Sequence, residues 1–387
     1  MDFQKVFTTF ALANDKKNMR NMYSKLQQVT KSATSLSGLL LFVLLAVCSC
    51  QSRPESDGRK LYTEFPRTIR LTSIPIALNE DSVLLRYPFR LRVSEDGRQA
   101  VILDYHHDTY FYHLFTYPDF RFVCSFGKKG QGPEETLSGE DVQWSDSLIW
   151  TLDGNRRLWQ VYRPASDHAE LVKQIDLTNT LRPLNFVFAG DSLAYIPDYY
   201  SGRSRLLCVD RQGTRVDSLG HIPTREENVL STVALAQAWR GFPAYNPRNG
   251  VLAVATQLGE VLEIYRPAQS SQPVVVEGPN GEPRYQYADG NAIPDGIMGF
   301  IDVQVGDSCI YAVFQGQSFE DIGRMLSEGR EPEDGGRFIY VFSLTGEPLC
   351  RYELDCPVCG FYVDEQRRTI VATNVNDVSR MVVTFSL

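Results

Sequence analysis

The chain has 387 residues, of which 43% are apolar and 22% are charged, a composition typical of a folded protein with a sizeable core. Its formal net charge is −8, and an acidic chain is poorly suited to nucleic acid, whose phosphates need basic partners. Phenylalanine and tyrosine are abundant, with 21 and 19 residues, which favours β-structure over helix.

The first element in chain order is a targeting segment. Several basic residues precede the apolar run LLLFVLLAV at 39–47, which is too short to span a bilayer but fits the apolar core of a signal peptide. The run ends in AVCSC, which resembles a bacterial lipoprotein signal in which Ser49 precedes a lipidated Cys50. The alternative is an uncleaved membrane anchor. We therefore expect a lipoprotein signal peptide at 1–49, followed by a flexible tether at 50–66.

A unit of strands and turns recurs six times after the tether. Its copies begin near residues 95, 145, 190, 249, 306 and 365. A four-stranded propeller blade takes roughly 40–50 residues, so inserted loops account for the longer spacings. A β-sandwich also contains regular hairpins, but six copies of one ordered unit favour an all-β, six-bladed β-propeller over residues 67–387.

The last copy provides only three strands before the chain ends. The segment RTIRLTS at 67–73 is strand-like and has no partner in any of the six copies. Joining an N-terminal strand to the last blade would remove exposed strand edges, which are aggregation hazards. We therefore expect residues 67–73 to close the last blade.

A glycine-rich stretch, SFGKKGQGPEE at 125–135, connects the first two copies. A phosphate-binding loop would end in Gly-Lys-Ser or Gly-Lys-Thr and be followed by a helix, whereas a strand follows here. The glycines permit backbone angles that other residues avoid, and Pro133 stiffens the exit. The stretch is therefore predicted to be the crossover between blades one and two.

This stretch, with the export signal and the six copies, resembles the six-bladed TolB-like or NHL-like propeller lipoproteins of the Bacteroidetes. Members often carry a G-x-G-x-G-P-x-E stretch between the first two blades, which is matched in outline by Gly127, Gly130, Gly132, Pro133 and Glu135. The resemblance covers roughly residues 60–387. It implies the six-bladed fold and a location in the bacterial envelope. Together with the lipoprotein signal, this predicts a lipid-anchored protein of a Gram-negative envelope, at the outer membrane, with the periplasmic or the surface side left open. The resemblance brings no established activity and no catalytic residues.

Propeller topology predicts which loops lie together. If the strands of a blade run from A at the centre to D at the rim, the B-to-C turns and the D-to-A crossovers lie on one face, which we call the loop face. A protein, peptide or glycan is expected to bind there, because tyrosine rings dock peptides and sugars and arginine binds carboxylates or phosphates. The alternative is ordinary solvated turns. The candidate binding residues are Lys128, Lys129, His106, His107, Arg156, Arg157, Tyr199, Tyr200 and Arg203.

Two insertions on the same face are predicted to contain short helices. One lies at 224–241 and the other at 315–337, where Phe319, Ile322 and Met325 recur at helical spacing. The second insertion could cover the central channel as a lid or pack on a single blade. The sequence leaves both arrangements open.

Catalysis is the alternative to a binding role. No serine-nucleophile elbow and no metalloprotease helix motif occurs in the sequence. By analogy with calcium-dependent lactonase-type propellers, a hydrolase or lyase would hold calcium at the channel mouth. The residues available for it are Glu140, Asp141, Asn185 and Asp302. No cofactor is expected for the binding function.

Three cysteines cluster near the end of the chain: Cys350, Cys356 and Cys359. An exported protein can form disulfides, so a local disulfide in this cluster is the first expectation. Buried free thiols are the second, and redox or metal chemistry at the single C-x-x-C is the third.

Overall fold

The computed structural model describes residues 58–78 and 83–387. The predicted signal peptide, Cys50 and the first part of the tether lie outside the described residues. In the described part of the chain, no helix has the length and apolar character needed to cross a membrane. Three short strands come first: β1 (Lys60–Leu61), β2 (Thr68–Leu71) and β3 (Ile74–Pro75).

Six sheets follow, each with consecutive strands that pair antiparallel, and they are the blades of a six-bladed β-propeller. Blade one contains β4 (Pro88–Val93), β5 (Gln99–Asp104), β6 (Tyr110–Thr116) and β7 (Phe122–Lys128). Blade two contains β8 (Gly139–Ser145), β9 (Leu148–Asp153), β10 (Leu158–Pro164) and β11 (Ala169–Asp176). Blade three contains β12 (Val187–Ala189), β13 (Leu193–Pro197), β14 (Leu206–Asp210) and β15 (Arg215–Leu219).

The remaining blades carry the insertions. Helix α1 (Thr232–Ala238) precedes blade four, which contains β16 (Gly241–Asn246), β17 (Val251–Thr256), β18 (Val261–Arg266) and β19 (Ser270–Glu277). A hairpin of β20 (Tyr285–Ala288) and β21 (Asn291–Pro294) leads to blade five. Blade five contains β22 (Phe300–Val305), β23 (Cys309–Phe314), helix α2 (Phe319–Ser327), β24 (Gly336–Ser343) and β25 (Pro348–Val358). Blade six contains β26 (Phe361–Asp364), β27 (Thr369–Thr373), a 3₁₀ turn (Val378–Arg380) and β28 (Val382–Ser386).

The second strands of the blades are apolar on both sides because each sheet is packed between two neighbouring blades. Every residue of β17, VLAVAT, is buried. The rim strands are polar by contrast, and four of the five residues of β15, RVDSL, are exposed. This burial pattern explains why the repeat can be recognised from its order of apolar and polar strands, although the residues at equivalent positions differ from copy to copy.

An N-terminal strand closes the last blade, as predicted, but the segment is different. Strand β3 pairs with β28 through Ile74 with Thr384 and Pro75 with Val383. The predicted segment 67–73 instead contributes β2, which adds to blade five as a fifth strand parallel to β25. Leu71 is buried there in the core shared by blades five and six. The burial of Leu71 holds β2 at blade five, so the next strand, β3, closes the ring.

Part of the predicted tether is also folded. Strand β1 pairs in parallel with β19 at the rim of blade four. The Tyr62 ring lies 5.6 Å from Phe342, measured between ring centroids, and its hydroxyl donates to Glu260 Oε1 at 2.7 Å. Phe65 packs on Tyr340 at 4.6 Å. Residues 60–66 therefore belong to the propeller, because their aromatic side chains fill the gap between blades four and five.

The cysteine cluster holds free thiols rather than the predicted disulfide. Cys350, Cys356 and Cys359 are all buried in the core between blades five and six. Cys350 and Cys356 are six residues apart on β25, on either side of Glu353 where the pairing with β24 becomes irregular, and neither is joined to another cysteine. Burial raises the pKa of the Cys356 and Cys359 thiols, so both act as small apolar core residues.

Candidate binding face

A buried aspartate ends the second strand of blades one and two and directly follows that of blade three, and these aspartates organise the loop face. Asp104 accepts backbone N–H groups from Tyr87 at 2.9 Å and from His107 at 3.0 Å, which joins a crossover to a turn. Asp153 does the same with Leu137 at 2.6 Å and with Arg156, and Asp198 caps its own turn. Their signal is an aspartate after an apolar strand, in VILD, TLD and YIPD.

The glycine-rich stretch is a braced crossover, as predicted. The Glu135 carboxylate lies beneath the loop and accepts the Gly132 N–H at 2.9 Å. A Cβ added at Gly130, whose φ is +157°, would lie 2.0 Å from a Glu135 oxygen, so the close approach depends on glycine. Arg156 donates to the carbonyls of Gly132 at 3.0 Å and Glu135 at 2.7 Å. The guanidinium that was predicted to bind a ligand thus stabilises the loop.

Both lysines of this stretch have partners within the protein. Lys128 donates to Glu135 at 2.8 Å, although its side chain remains largely exposed. Lys129 is half-buried, donates to the carbonyl of Tyr105 at 2.7 Å and lies 4.4 Å from the centre of the Phe111 ring. Its pKa is lowered by burial. Lys129 therefore contributes to packing, and Lys128 is the more accessible of the two.

The two candidate histidines shape the first B-to-C turn. His106 packs on the Tyr87 ring at 4.6 Å, measured between ring centroids. His107 accepts the backbone N–H groups of Thr109 and Tyr110 through Nδ1, at 3.2 and 3.1 Å. Burial lowers the pKa of both imidazoles, so they are neutral at pH 7. The two rings have different neighbours, Tyr87 for His106 and His113 for His107.

Neighbouring residues of the blade-three turn have opposite environments. Tyr199 is buried, and its hydroxyl lies within hydrogen-bond distance of Asn185 Oδ1 and of the carbonyl of Gly241, so its ring is not available to stack on a ligand, contrary to the prediction. Tyr200 is 56% exposed, with the Arg182 guanidinium 5.3 Å from its ring centre. Arg203 is exposed and Arg157 is half-buried. These three residues remain available to a partner.

Two arginines of β4 fill the central channel. Arg90 is buried between the rings of Phe89 and Phe242, at 4.5 and 4.4 Å, and donates to the carbonyl of Ile301 at 2.7 Å. Arg92 donates to both oxygens of Asp302, at 2.8 and 3.0 Å. Asp302 has an exposed side-chain fraction of 1%. Side chains from blades one, four and five therefore plug the channel at this level.

The four candidate calcium ligands do not fit a calcium site. Both oxygens of Asp302 accept from Arg92, and Asp141 accepts the N–H groups of Val142 and Phe186. Asn185 donates to the carbonyl of Gly241 at 3.2 Å. Glu140 accepts from Ser138, and burial raises its pKa to about 7. Within residues 58–78 and 83–387, no cluster of three or more acidic, histidine or cysteine side chains could hold a metal.

Both predicted insertions contain a helix. Helix α1 is shorter than its predicted segment and begins after Ser231, whose side chain accepts the Ala234 N–H. Helix α2 contains the predicted Phe319, Ile322 and Met325, but only Ile322 and Gly323 are buried. The first residue of α2 contacts the crossover between blades four and five, where the Phe319 N–H donates to the carbonyl of Gly296 at 3.0 Å. This contact supports packing at one blade boundary for the start of the helix.

The insertions before and after blade four enclose a groove of about 450 Å³. We call it the insertion groove. Tyr287 is 47% exposed and Leu230 is 74% exposed. None of the groove residues is among the candidate binding residues that the sequence indicated. The residues that define it are Glu226, Leu230, Glu282, Arg284, Tyr285, Tyr287 and Asp295.

Large exposed apolar side chains are unevenly distributed over the described residues. The five that lie outside the loop face are on rim strands, and none is on the turns of the opposite face. Single exposed apolar residues need no explanation, but their concentration on one face is typical of an interaction surface. The six on the loop face are Leu84, Leu137, Tyr200, Leu230, Tyr287 and Val378.

Comparison with known proteins agrees with this architecture. The model of a family described as "TolB-like 6-blade propeller-like" matches residues 65–366. A putative exported protein from Bacteroides fragilis has 10% sequence identity and a TM-score of 0.52, over 82% of this chain and 98% of that one. A DUF4221 family member from Bacteroides vulgatus has 9% identity and a TM-score of 0.53, over 81% and 95%. At this identity the two structures show the fold alone. No curated protein matches the chain.

Proposed function

The chain belongs to the TolB-like six-bladed propeller family, and from this premise we propose that it is a non-catalytic protein-binding module of the bacterial envelope. Its partner docks on the loop face. The observation that carries the proposal is the distribution of large exposed apolar side chains, six of which lie on that face and none on the opposite turns of the described chain. Burying such side chains is the main favourable term in protein association.

The plugged channel supports the same proposal. A ligand bound along the propeller axis would have to displace Arg90 from between two aromatic rings, or Arg92 from the buried Asp302. Removing one member of a buried ion pair is costly. A partner that rests on the loop face leaves these contacts intact. The calcium-dependent alternative has no comparable support, because its ligands already have partners within the protein.

We expect site-specific photo-crosslinking to distinguish the two faces. A photoreactive phenylalanine analogue at Tyr200, Leu230 or Tyr287 should give a discrete cross-linked species in cells that produce the protein, because these positions contact the partner. The matched control positions are exposed turns of the opposite face, at Asp119, Asp167 and Gln212. Equal cross-linking from both sets, followed on immunoblots, would contradict a docking role for the loop face.

The proposed attachment to the membrane is through lipid on Cys50. The sequence around this residue has the arrangement of a lipoprotein signal, and the family model matches only the propeller that follows it. Two or more acyl chains hold a protein at a membrane, whereas an acidic domain by itself does not bind anionic lipid. The finer proposal is an outer-membrane lipoprotein of a Gram-negative bacterium.

Replacing Cys50 by Ser is expected to abolish labelling by a palmitate analogue and to move most of the protein out of the outer-membrane fraction. Lipid attachment needs the thiol, whereas an uncleaved apolar anchor does not. The matched control is Cys48→Ser, which removes the other thiol of the same segment and should leave labelling and fractionation unchanged. A Cys50→Ser protein that stays in the membrane would point to an uncleaved anchor.

A further inference from the structure

We propose that the insertion groove binds a peptide segment of the partner that combines a basic side chain with a large apolar one. This inference rests on the proposed protein-binding function and names the chemistry of the docked segment. It is carried by three features of the groove: preformed walls, an exposed apolar surface and carboxylates that have no cationic partner.

The walls of the insertion groove are held together without a ligand. Gln237 on α1 donates to Asn291 Oδ1 at 3.2 Å and accepts the N–H of Ala292 at 3.0 Å, which fastens the helix to the hairpin. Arg225 forms ion pairs with both Glu277 and Glu282 and so joins the first insertion to the start of the second. The volume lies within the range of about 300–1,000 Å³ that ligand sites occupy. A preformed groove lowers the entropic cost of binding.

Apolar surface is exposed inside the groove. Tyr285 and Tyr287 are two residues apart on β20, so their side chains leave the same side of the strand, and both line the groove. The Tyr285 ring packs against the core below α1, whereas Tyr287 and Leu230 remain exposed. A leucine or an aromatic side chain of a partner would cover these two residues and remove apolar surface from water.

The groove also carries a net negative charge. Its lining contains three carboxylates and one guanidinium, that of Arg284. Glu282 is paired with Arg225. Among the described residues, Glu226 accepts a hydrogen bond from the Tyr285 hydroxyl alone, at 2.8 Å, and Asp295 accepts one from Gln286 Nε2 alone, at 3.1 Å. No cation of the described chain lies within ion-pair distance of Glu226 or Asp295. A lysine or arginine of the partner would form ion pairs with these two carboxylates, whereas a neutral or acidic ligand would leave both without a cationic partner.

Selection of random short peptides on the immobilised full chain, purified in detergent, tests this inference. We expect the selected sequences to be enriched in lysine or arginine next to leucine or an aromatic residue. The affinity of a selected peptide, measured by fluorescence anisotropy, should fall roughly five- to tenfold in the variant Glu226→Gln/Asp295→Asn, because two exposed ion pairs are lost. Binding should also weaken as salt is added.

The matched control removes two negative charges from the same face outside the groove. Glu134 and Glu320 are exposed and form no ion pair with the described residues, so the variant Glu134→Gln/Glu320→Gln should bind with unchanged affinity. Equal loss in both double variants would overturn the inference, because the effect would then come from net charge alone.

A third variant separates this inference from the function on which it rests. If the selected peptides contain no basic residues but bind the variant Leu230→Ser/Tyr287→Ser more weakly, the predicted charge preference is overturned. The loop face would still be the docking face. Peptides that bind all three variants equally would remove the groove from the proposed function. Self-association of the chain that is lost in the Leu230→Ser/Tyr287→Ser variant, measured by sedimentation, would assign the groove to a second copy and overturn the peptide inference. Selective binding of a neutral glycan to the groove would overturn it as well.

Discussion

Replacing Asp302 by Asn is expected to lower the free energy of unfolding by about 3–5 kcal/mol, the usual cost of removing one partner from a buried ion pair. Asp302 has an exposed side-chain fraction of 1% and accepts from both terminal nitrogens of Arg92. A second guanidinium, that of Arg90, lies 3.5 Å away. Asparagine keeps the size of the side chain but removes the charge that pairs with both guanidinium groups. Denaturant unfolding monitored by tryptophan fluorescence measures the difference.

The surface pair Arg163–Glu170 provides the control for this measurement. Both side chains are largely exposed, at 61% and 58%, so Glu170→Gln should change stability by less than about 1 kcal/mol. Calcium titration of the same proteins by calorimetry distinguishes a structural role of Asp302 in the channel from a role as a calcium ligand. If Asp302→Asn kept its stability but lost stoichiometric calcium binding, Asp302 would be a metal ligand and not part of a structural plug.

The architecture could be predicted from sequence because its signal is spread over the whole chain. Six similar units recur, and their central strands are apolar on both sides, which a propeller requires of a sheet packed between two others. The identity of the closing strand could not be predicted in the same way. It depends on whether Leu71 is buried at blade five or at blade six, and a segment with a single buried side chain suits both rims.

The candidate binding residues lie on the loop face, as predicted, since topology alone determines which turns and crossovers share it. Their side-chain environments depend on local hydrogen bonds that the topology does not specify. Tyr199 and Tyr200 are adjacent in the chain, yet Tyr199 is buried with its hydroxyl bonded to Asn185, whereas Tyr200 is exposed. Arg156 likewise binds carbonyl groups of the glycine-rich stretch that follows blade one.

The insertion groove was missed because it is assembled from two insertions more than fifty residues apart. A local signal for one wall was nevertheless present. YQYADGNAIP at 285–294 contains alternating tyrosines before an Asp-Gly pair, the pattern of a tight hairpin. That pattern predicts the hairpin itself, but not which insertion packs beside it. The packing is determined by the contact of Gln237 with Asn291 and Ala292.

Deleting residues 59–76 is expected to prevent cooperative folding of the propeller. The deletion removes β1, β2 and β3, and with them Tyr62, Phe65 and Leu71, which pack in the cores of blades four to six. Burial of a large apolar side chain contributes about 1.5–3 kcal/mol, so the loss approaches the total stability of about 5–15 kcal/mol typical of native proteins. It would also expose the edge of β28 and invite aggregation. Circular dichroism and size-exclusion chromatography measure the outcome.

A shorter deletion, of residues 59–66, separates ring closure from packing at the rim. It removes β1 with Tyr62 and Phe65 but keeps β2 on blade five and β3 on blade six. We expect this protein to fold, with a free energy of unfolding lower by roughly 3–6 kcal/mol, because two large side chains are lost. The additional effect of the longer deletion then measures β2 and β3 together. If both deletions gave the same stability, β3 would contribute nothing to closure, and blade six would be stable with three strands.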